Sequence, residues 1–211
     1  MNRLDPQRQL LGMAIAALAG YVDAVGYLSA DGYFVSFMSG NTTRMGVDFV
    51  SSGARALIPA MLIAGFVGGV TTGSVLAART GRWRKPVILL SVSVLLALGT
   101  LIALAGPHGL ALLALVVAMG MLNTTLRREQ DPIGLTYMTG ALVRIGQGLA
   151  ARLSGQDRVD WLPFLRLWLT LAAGAALGAF TYLRAGSLCL IAGSIWAILA
   201  ALFASRFVRR A

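Results

Sequence analysis

Long apolar runs alternate with short polar ones along this chain, and the alternation predicts its elements. Ala56–Ala78, Pro86–Gly106, Gly109–Leu126 and Ala185–Ser205 carry no charged residue, while Leu10–Ala30 and Pro163–Leu183 carry one each, Asp23 and Arg166. About 20 apolar residues in a helix cross the hydrocarbon core of a bilayer, so six spanning helices are predicted. Two stretches between them, about 33–52 and 133–152, are broken up by Gly, Ser, Thr and Arg and are too polar to be ordinary spans.

Those two stretches resemble each other. "VSFMSGNTTRMG", Val35 to Gly46, returns one hundred residues later as "LTYMTGALVRIG", Leu135 to Gly146, with Met, Gly, Arg and Gly unchanged. The duplication extends outward: Gly20 matches Gly120, Asp23 faces Asn123, and Asp31 matches Asp131. Gly65, Gly69 and Gly73 recur every fourth residue, and Thr170, Gly174 and Gly178 keep the same rhythm at an offset of 105. Small residues at this spacing let helix backbones approach closely in lipid, either within the chain or in a homodimer.

Composition turns the pattern into a class. The 211-residue chain is 57% hydrophobic and 12% charged, with a mean hydropathy of +0.76. A soluble domain is about 25% charged, so the bilayer is the expected partner. The net charge of +10 reads as topology rather than nucleic-acid binding, because a basic excess in short loops marks the cytoplasmic side. Arg79, Arg82, Arg84 and Lys85 occupy one loop, Arg3 and Arg8 the N-terminus, and Arg206, Arg209 and Arg210 the C-terminus. All three are cytoplasmic only if residues 33–52 enter and leave on one face. Each half then has three true spans, and an odd number gives the halves opposite orientations.

The expected fold is therefore an all-α polytopic membrane protein of six transmembrane helices plus two re-entrant half-helices in an inverted repeat. Residues 1–106 form one half and 107–211 the other, within one membrane domain. Leu10–Ala30 is read as a retained helix rather than a cleaved signal, since cleavage would remove part of the repeat. Lone Cys189 and His108 offer no disulfide or metal framework, so neither metal nor cofactor is expected, and no catalytic constellation supports an enzyme.

Irregular backbone at membrane depth survives only when buried in protein or lining a wet cavity. Gly40 is the predicted turn and Asn41 or Thr42 the predicted N-cap of a half-helix running to Ser52. Its N-terminus would attract an anion or the electronegative part of a polar solute. Ionisable groups at such depth are costly and usually functional. Arg44 pairs with Asp48 at i+4, is countered by Asp23, or meets the solute. The expected site joins Asp23, Ser36, Ser39, Gly40, Asn41, Thr42 and Arg44 to Asn123, Thr136, Thr139, Gly140 and Arg144 around one central cavity. The first half supplies most polarity, because Asn41, Thr42 and Thr43 become Ala141, Leu142 and Val143.

At these residues the chain resembles a known family. "GYVDAVGYLSADGYFVSFMSGNTTRMG" and "MGMLNTTLRREQDPIGLTYMTGALVRIGQGL" are similar to the two signature regions of the YoaK-like bacterial membrane proteins, a domain of unknown function. The resemblance covers nearly the whole chain. It implies a six-helix inner-membrane protein and no agreed activity. Where the second signature has glutamine, this chain has Leu122. The expected function is transport of a small polar or anionic solute, by a channel or secondary carrier. The alternative is a non-transporting membrane scaffold.

Overall fold

The computed structural model describes residues 6–125, 138–155 and 160–209. Within them the helices are α1 (Pro6–Ser29), α2 (Met38–Ser52), α3 (Leu57–Thr80), α4 (Arg84–Ala105), α5 (His108–Leu122), α6 (Met138–Leu153), α7 (Leu162–Ala185) and α8 (Cys189–Arg209). Three continuous helical runs, Gln9–Ser29, Met38–Ala105 and Leu162–Val208, are long and apolar enough to cross a membrane. Short 3-10 turns at Gly53–Ala56 and Gly81–Trp83 divide the second run, and Gly186–Leu188 divides the third.

Divided there, the five long helices have 21 to 24 residues, or about 32–36 Å each at 1.5 Å per residue. That exceeds the roughly 30 Å hydrocarbon core. The fourth predicted span, Gly109–Leu126, is shorter than expected. Helix α5 has 15 residues and stops at Leu122, four residues before the predicted end, where Thr124 N–H turns back to Met121 O and Thr125 N–H to Leu122 O. Helices α2 and α6 have 15 and 16 residues, about 22–24 Å each, longer than the half-helix from Asn41 to Ser52 that was expected.

Local chemistry fixes the boundaries. Gly81 and Gly186 end α3 and α7 at φ of 51° and 56°, where a side chain would be strained. Pro59, Pro86 and Pro163 fall in the first turns of α3, α4 and α7, where a missing N–H costs no helical bond.

The packing crosses between the two halves of the chain. Helix α1 lies along α7, α3 along α5, and α4 against both α5 and α8. Leu11, Ile15, Leu18 and Val22 of α1 are fully buried, as are Leu89 and Leu96 of α4 and Met119 and Leu122 of α5. The Tyr21 hydroxyl donates to Cys189 O at 2.8 Å and accepts from Thr181 Oγ1 at 2.9 Å, joining α1, α7 and α8. The Ser93 and Ser194 hydroxyls pair at 2.8 Å between α4 and α8.

Glycine faces make the close approaches. A Cβ on Gly20 would strike Leu171 O and Ala175 N of α7; one on Gly120 would strike Phe66 O and Val70 N of α3. Gly174 and Gly178 face the Ala17 and Tyr21 carbonyls, while Gly69 and Gly73 face Val117 and Met121. These glycines thus pack helix on helix within the chain, one of the two uses their spacing allows. Gly174→Val is expected to lower stability by about 1–3 kcal/mol or more through overpacking against backbone. Gly140→Ala, at a helical position with open space around it, should be neutral or mildly stabilising. Thermal unfolding in detergent measures both, and equal midpoints would refute the packing argument.

Candidate functional site

Helix α1 ends where Asp31 and Gly32 take φ of 48° and 79°, and Gly32 N–H closes back onto Tyr27 O at 3.0 Å. The chain then runs non-helically to Phe37. Two side chains hold that segment. Asp23, from the last third of α1, accepts the N–H groups of Val35 and Ser36 on Oδ1, both at 2.9 Å. Asn41, from the first turn of α2 and wholly buried, donates to Phe34 O at 2.7 Å and accepts from Phe34 N–H at 3.0 Å. Asn41 pairs with Phe34 as a neighbouring strand would. Successive N–H groups facing one point form an anion-binding nest, and here the anion is supplied by the chain itself.

A second set of contacts ties α2 to the end of α1. Arg44 Nη1 donates to Asp31 O at 3.0 Å and Gly32 O at 2.7 Å, and its guanidinium lies 4.2 Å from the Tyr33 ring centroid. The Tyr33 hydroxyl donates to Asp48 Oδ2 at 2.8 Å. Tyr33 therefore stands between Arg44 and Asp48, and these contacts replace the expected i+4 pairing and the Asp23 counter-ion. Tyr33 was not singled out in the sequence. Its only signal is that it stands where the second half has Ile133.

The half-helix begins at Met38, not at Asn41. Gly40 lies in its first turn, covered by the rings of Phe34 and Phe37, which meet edge to face at 5.1 Å. The N–H of Met38 is donated to Ser36 O, and those of Gly40 and Asn41 to Phe37 O. This start is not the open cluster of donors that was expected. Asn41 is no N-cap because both ends of its amide are engaged by Phe34.

The remaining candidates divide by helix face. Ser36 is buried beside Asp23, whereas Ser39 and Thr42 are exposed, and the Thr42 hydroxyl turns back to Met38 O at 2.9 Å. In the second half Thr139, Gly140 and Arg144 are exposed, and Arg144 lies over the Phe164 ring at 5.1 Å. Asn123 donates to Met119 O at 2.9 Å. Thr136 lies outside the described residues. Helix α2 packs on α3 and α6 on α7, without packing on each other. The described structure thus gathers Asp23, Ser36, Asn41 and Arg44 around residues 31–37 and does not join them to Thr139 and Arg144 across one cavity.

A bundle of long apolar helices interrupted by a pinned, non-helical segment defines a multi-pass helical membrane protein. The comparisons with known proteins agree. The chain belongs to the family described as "Protein of unknown function (DUF1275)", whose model matches residues 11–204. It is 39% identical over 209 residues to a UPF0700 transmembrane protein of Rhizobium meliloti, covering 97% of this chain and 91% of that relative. This is the YoaK-like family that its signature regions resemble. No solved structure matches it.

Proposed function

We propose that this protein moves a small polar solute across the membrane, as an ion-coupled carrier built from two inverted repeats. The observation that carries the reading is the break at residues 31–37: non-helical backbone folded back on α1, with Tyr33, Val35 and Ser36 buried and the N–H groups of Val35 and Ser36 held by the carboxylate of Asp23. Carriers place substrate and coupling-ion sites at discontinuous helices of this kind, and a carboxylate among spanning helices is a natural proton site. Protonating Asp23 removes the negative charge that the N–H groups of Val35 and Ser36 hold. That loosens one segment without unfolding a helix. Because Asp23 already fills the nest, the solute is better matched to a neutral polar molecule than to an anion at this place.

Support for the repeat comes from equivalent packings. Gly20 on Leu171 and Ala175 corresponds to Gly120 on Phe66 and Val70, partners that differ by 105 residues. Two apolar clefts follow the same offset, one including Ala192, Ile195, Trp196, Leu199 and Ala200, the other Val87, Leu90, Ser91, Val94 and Leu95. The basic loops favour cytoplasmic termini and an inner-membrane location.

One observation favours the scaffold reading: Asp23, Asn41 and Arg44 all bond to the chain's own backbone. Uptake by proteoliposomes, across neutral metabolites and small anions with and without a pH gradient, separates the two readings. A carrier accelerates at least one solute, responds to the gradient, and loses that response in Asp23→Asn. If no solute crosses faster than through empty vesicles and none raises the melting temperature, the scaffold reading stands.

A further inference from the structure

One cleft is unrelated to the Asp23 segment. It lies between α1 and α8, has a volume of about 500 Å³, and is walled by Leu10 and Ala14 on one side and Ile195, Leu199 and Phe203 on the other. The two helices are antiparallel, since Tyr21 reaches Cys189 at one end while Leu10 and Phe203 line the same cleft. Its width has a local cause. Helices α4 and α5 are joined by a two-residue turn and pack closely, with Gly99 set against Leu115. Helices α1 and α8 share no such hairpin, and Ala14, Ala192 and Ala200 leave the space between them unfilled.

We propose that this cleft holds one acyl chain of an anionic phospholipid whose headgroup is bound at Arg206. Three observations converge on that occupant. Every lining residue is apolar, so the cleft suits hydrocarbon and offers a polar solute nothing. From Ala192 to Phe203 it follows eleven steps of α8, about 17 Å of helix, close to half of the roughly 30 Å hydrocarbon thickness. That is the depth of one leaflet. Finally, Ala192, Ile195, Leu199, Phe203 and Arg206 follow one another at spacings of three and four residues, so the exposed arginine continues the lining stripe at the mouth. Basic groups at the ends of helix–helix grooves recognise anionic headgroups.

The cleft on α4 differs in construction. Its lining is drawn from α4 with Met121 alone opposite, and it includes Ser91. It lacks the second long wall that would hold a chain along its length.

Native mass spectrometry tests the assignment on the full chain, reconstituted with phosphatidylglycerol or phosphatidylcholine and then extracted into mild detergent. Wild type should retain one phosphatidylglycerol more than it retains phosphatidylcholine. Ala14→Phe, which fills the cleft, should lose that lipid, and Ala192→Phe at an exposed lining position provides the same test if Ala14→Phe does not fold. Arg206→Gln should keep an acyl chain but lower the preference for phosphatidylglycerol about fivefold, the effect of one basic residue at a membrane surface. Equal retention by wild type and both filling variants would overturn the site. Equal retention of the two lipids by wild type would overturn the anionic headgroup. Efficient disulfide formation between two copies of a Leu199→Cys variant in membranes, with no lipid retained, would show that a second copy covers the cleft instead.

Discussion

Asp23→Ala is expected to abolish transport and to cost several kcal/mol of stability, whereas Asp23→Asn should fold at nearly wild-type yield. The carboxylate accepts the N–H groups of Val35 and Ser36 through one oxygen. Alanine leaves both donors unpaired within the bundle, and each unsatisfied buried group costs about 1–3 kcal/mol, more where no water enters. Asparagine keeps an acceptor oxygen at the same place and is what the second half carries at position 123. It removes the charge alone, so it should spare the fold and change only the response to pH. Melting temperature in detergent and gradient-driven uptake read the two effects separately. Equal stability of the alanine and wild-type proteins would mean that the segment is not held by Asp23.

Asn41→Ala is expected to be nearly as damaging, at about 2–4 kcal/mol, since it strips both polar groups of Phe34 of their partner in a fully buried position. The second half does place Ala141 here, also buried, so packing volume alone tolerates alanine and the loss isolates the hydrogen bonds. Asn41→Asp keeps the acceptor but cannot donate to Phe34 O, and should be at least as unstable as alanine. The double variant Asp23→Ala/Asn41→Ala should lose less than the sum of the singles, because the two side chains hold adjacent residues of one segment. Strict additivity in unfolding measurements would contradict a shared role.

Much of this fold was legible in the order of apolar and polar residues. The runs around α1, α3, α4, α7 and α8 are long, charge-free or nearly so, and bounded by Gly, Pro or Arg, signals that report directly on helix length. Gly20 and Gly120, matched in the sequence, both abut the backbone of a neighbouring helix. The ends of α2 and α5 were less legible. Asn41 has the side chain of a good N-cap, but its amide is engaged by Phe34, a competition that local propensity does not reveal. Gly40 has the freedom to turn, yet Asp31 and Gly32 take the left-handed conformations, nine residues and eight residues earlier in the chain. Convergence of the site was harder still. Successive helical residues differ by about 100° in direction, so Asn41 faces inward while Ser39 and Thr42 face outward, and a list of polar residues does not distinguish them.

The crossed pairing of helices also sets an order of assembly during synthesis. Helix α1 is made well before α7, but its Ala17 and Tyr21 carbonyls meet their glycines only when Gly174 and Gly178 of α7 have been inserted. Helix α3 needs only α5, and α4 is its immediate neighbour in sequence, so α3, α4 and α5 can close on one another while the second half is still being translated. Until α7 emerges, α1 stands in lipid with its small-residue face uncovered and the segment at Asp23 suspended from it. Helix α1 is thus locked after helices that follow it in the chain, and the pinned break completes its surroundings only once α7 is in place.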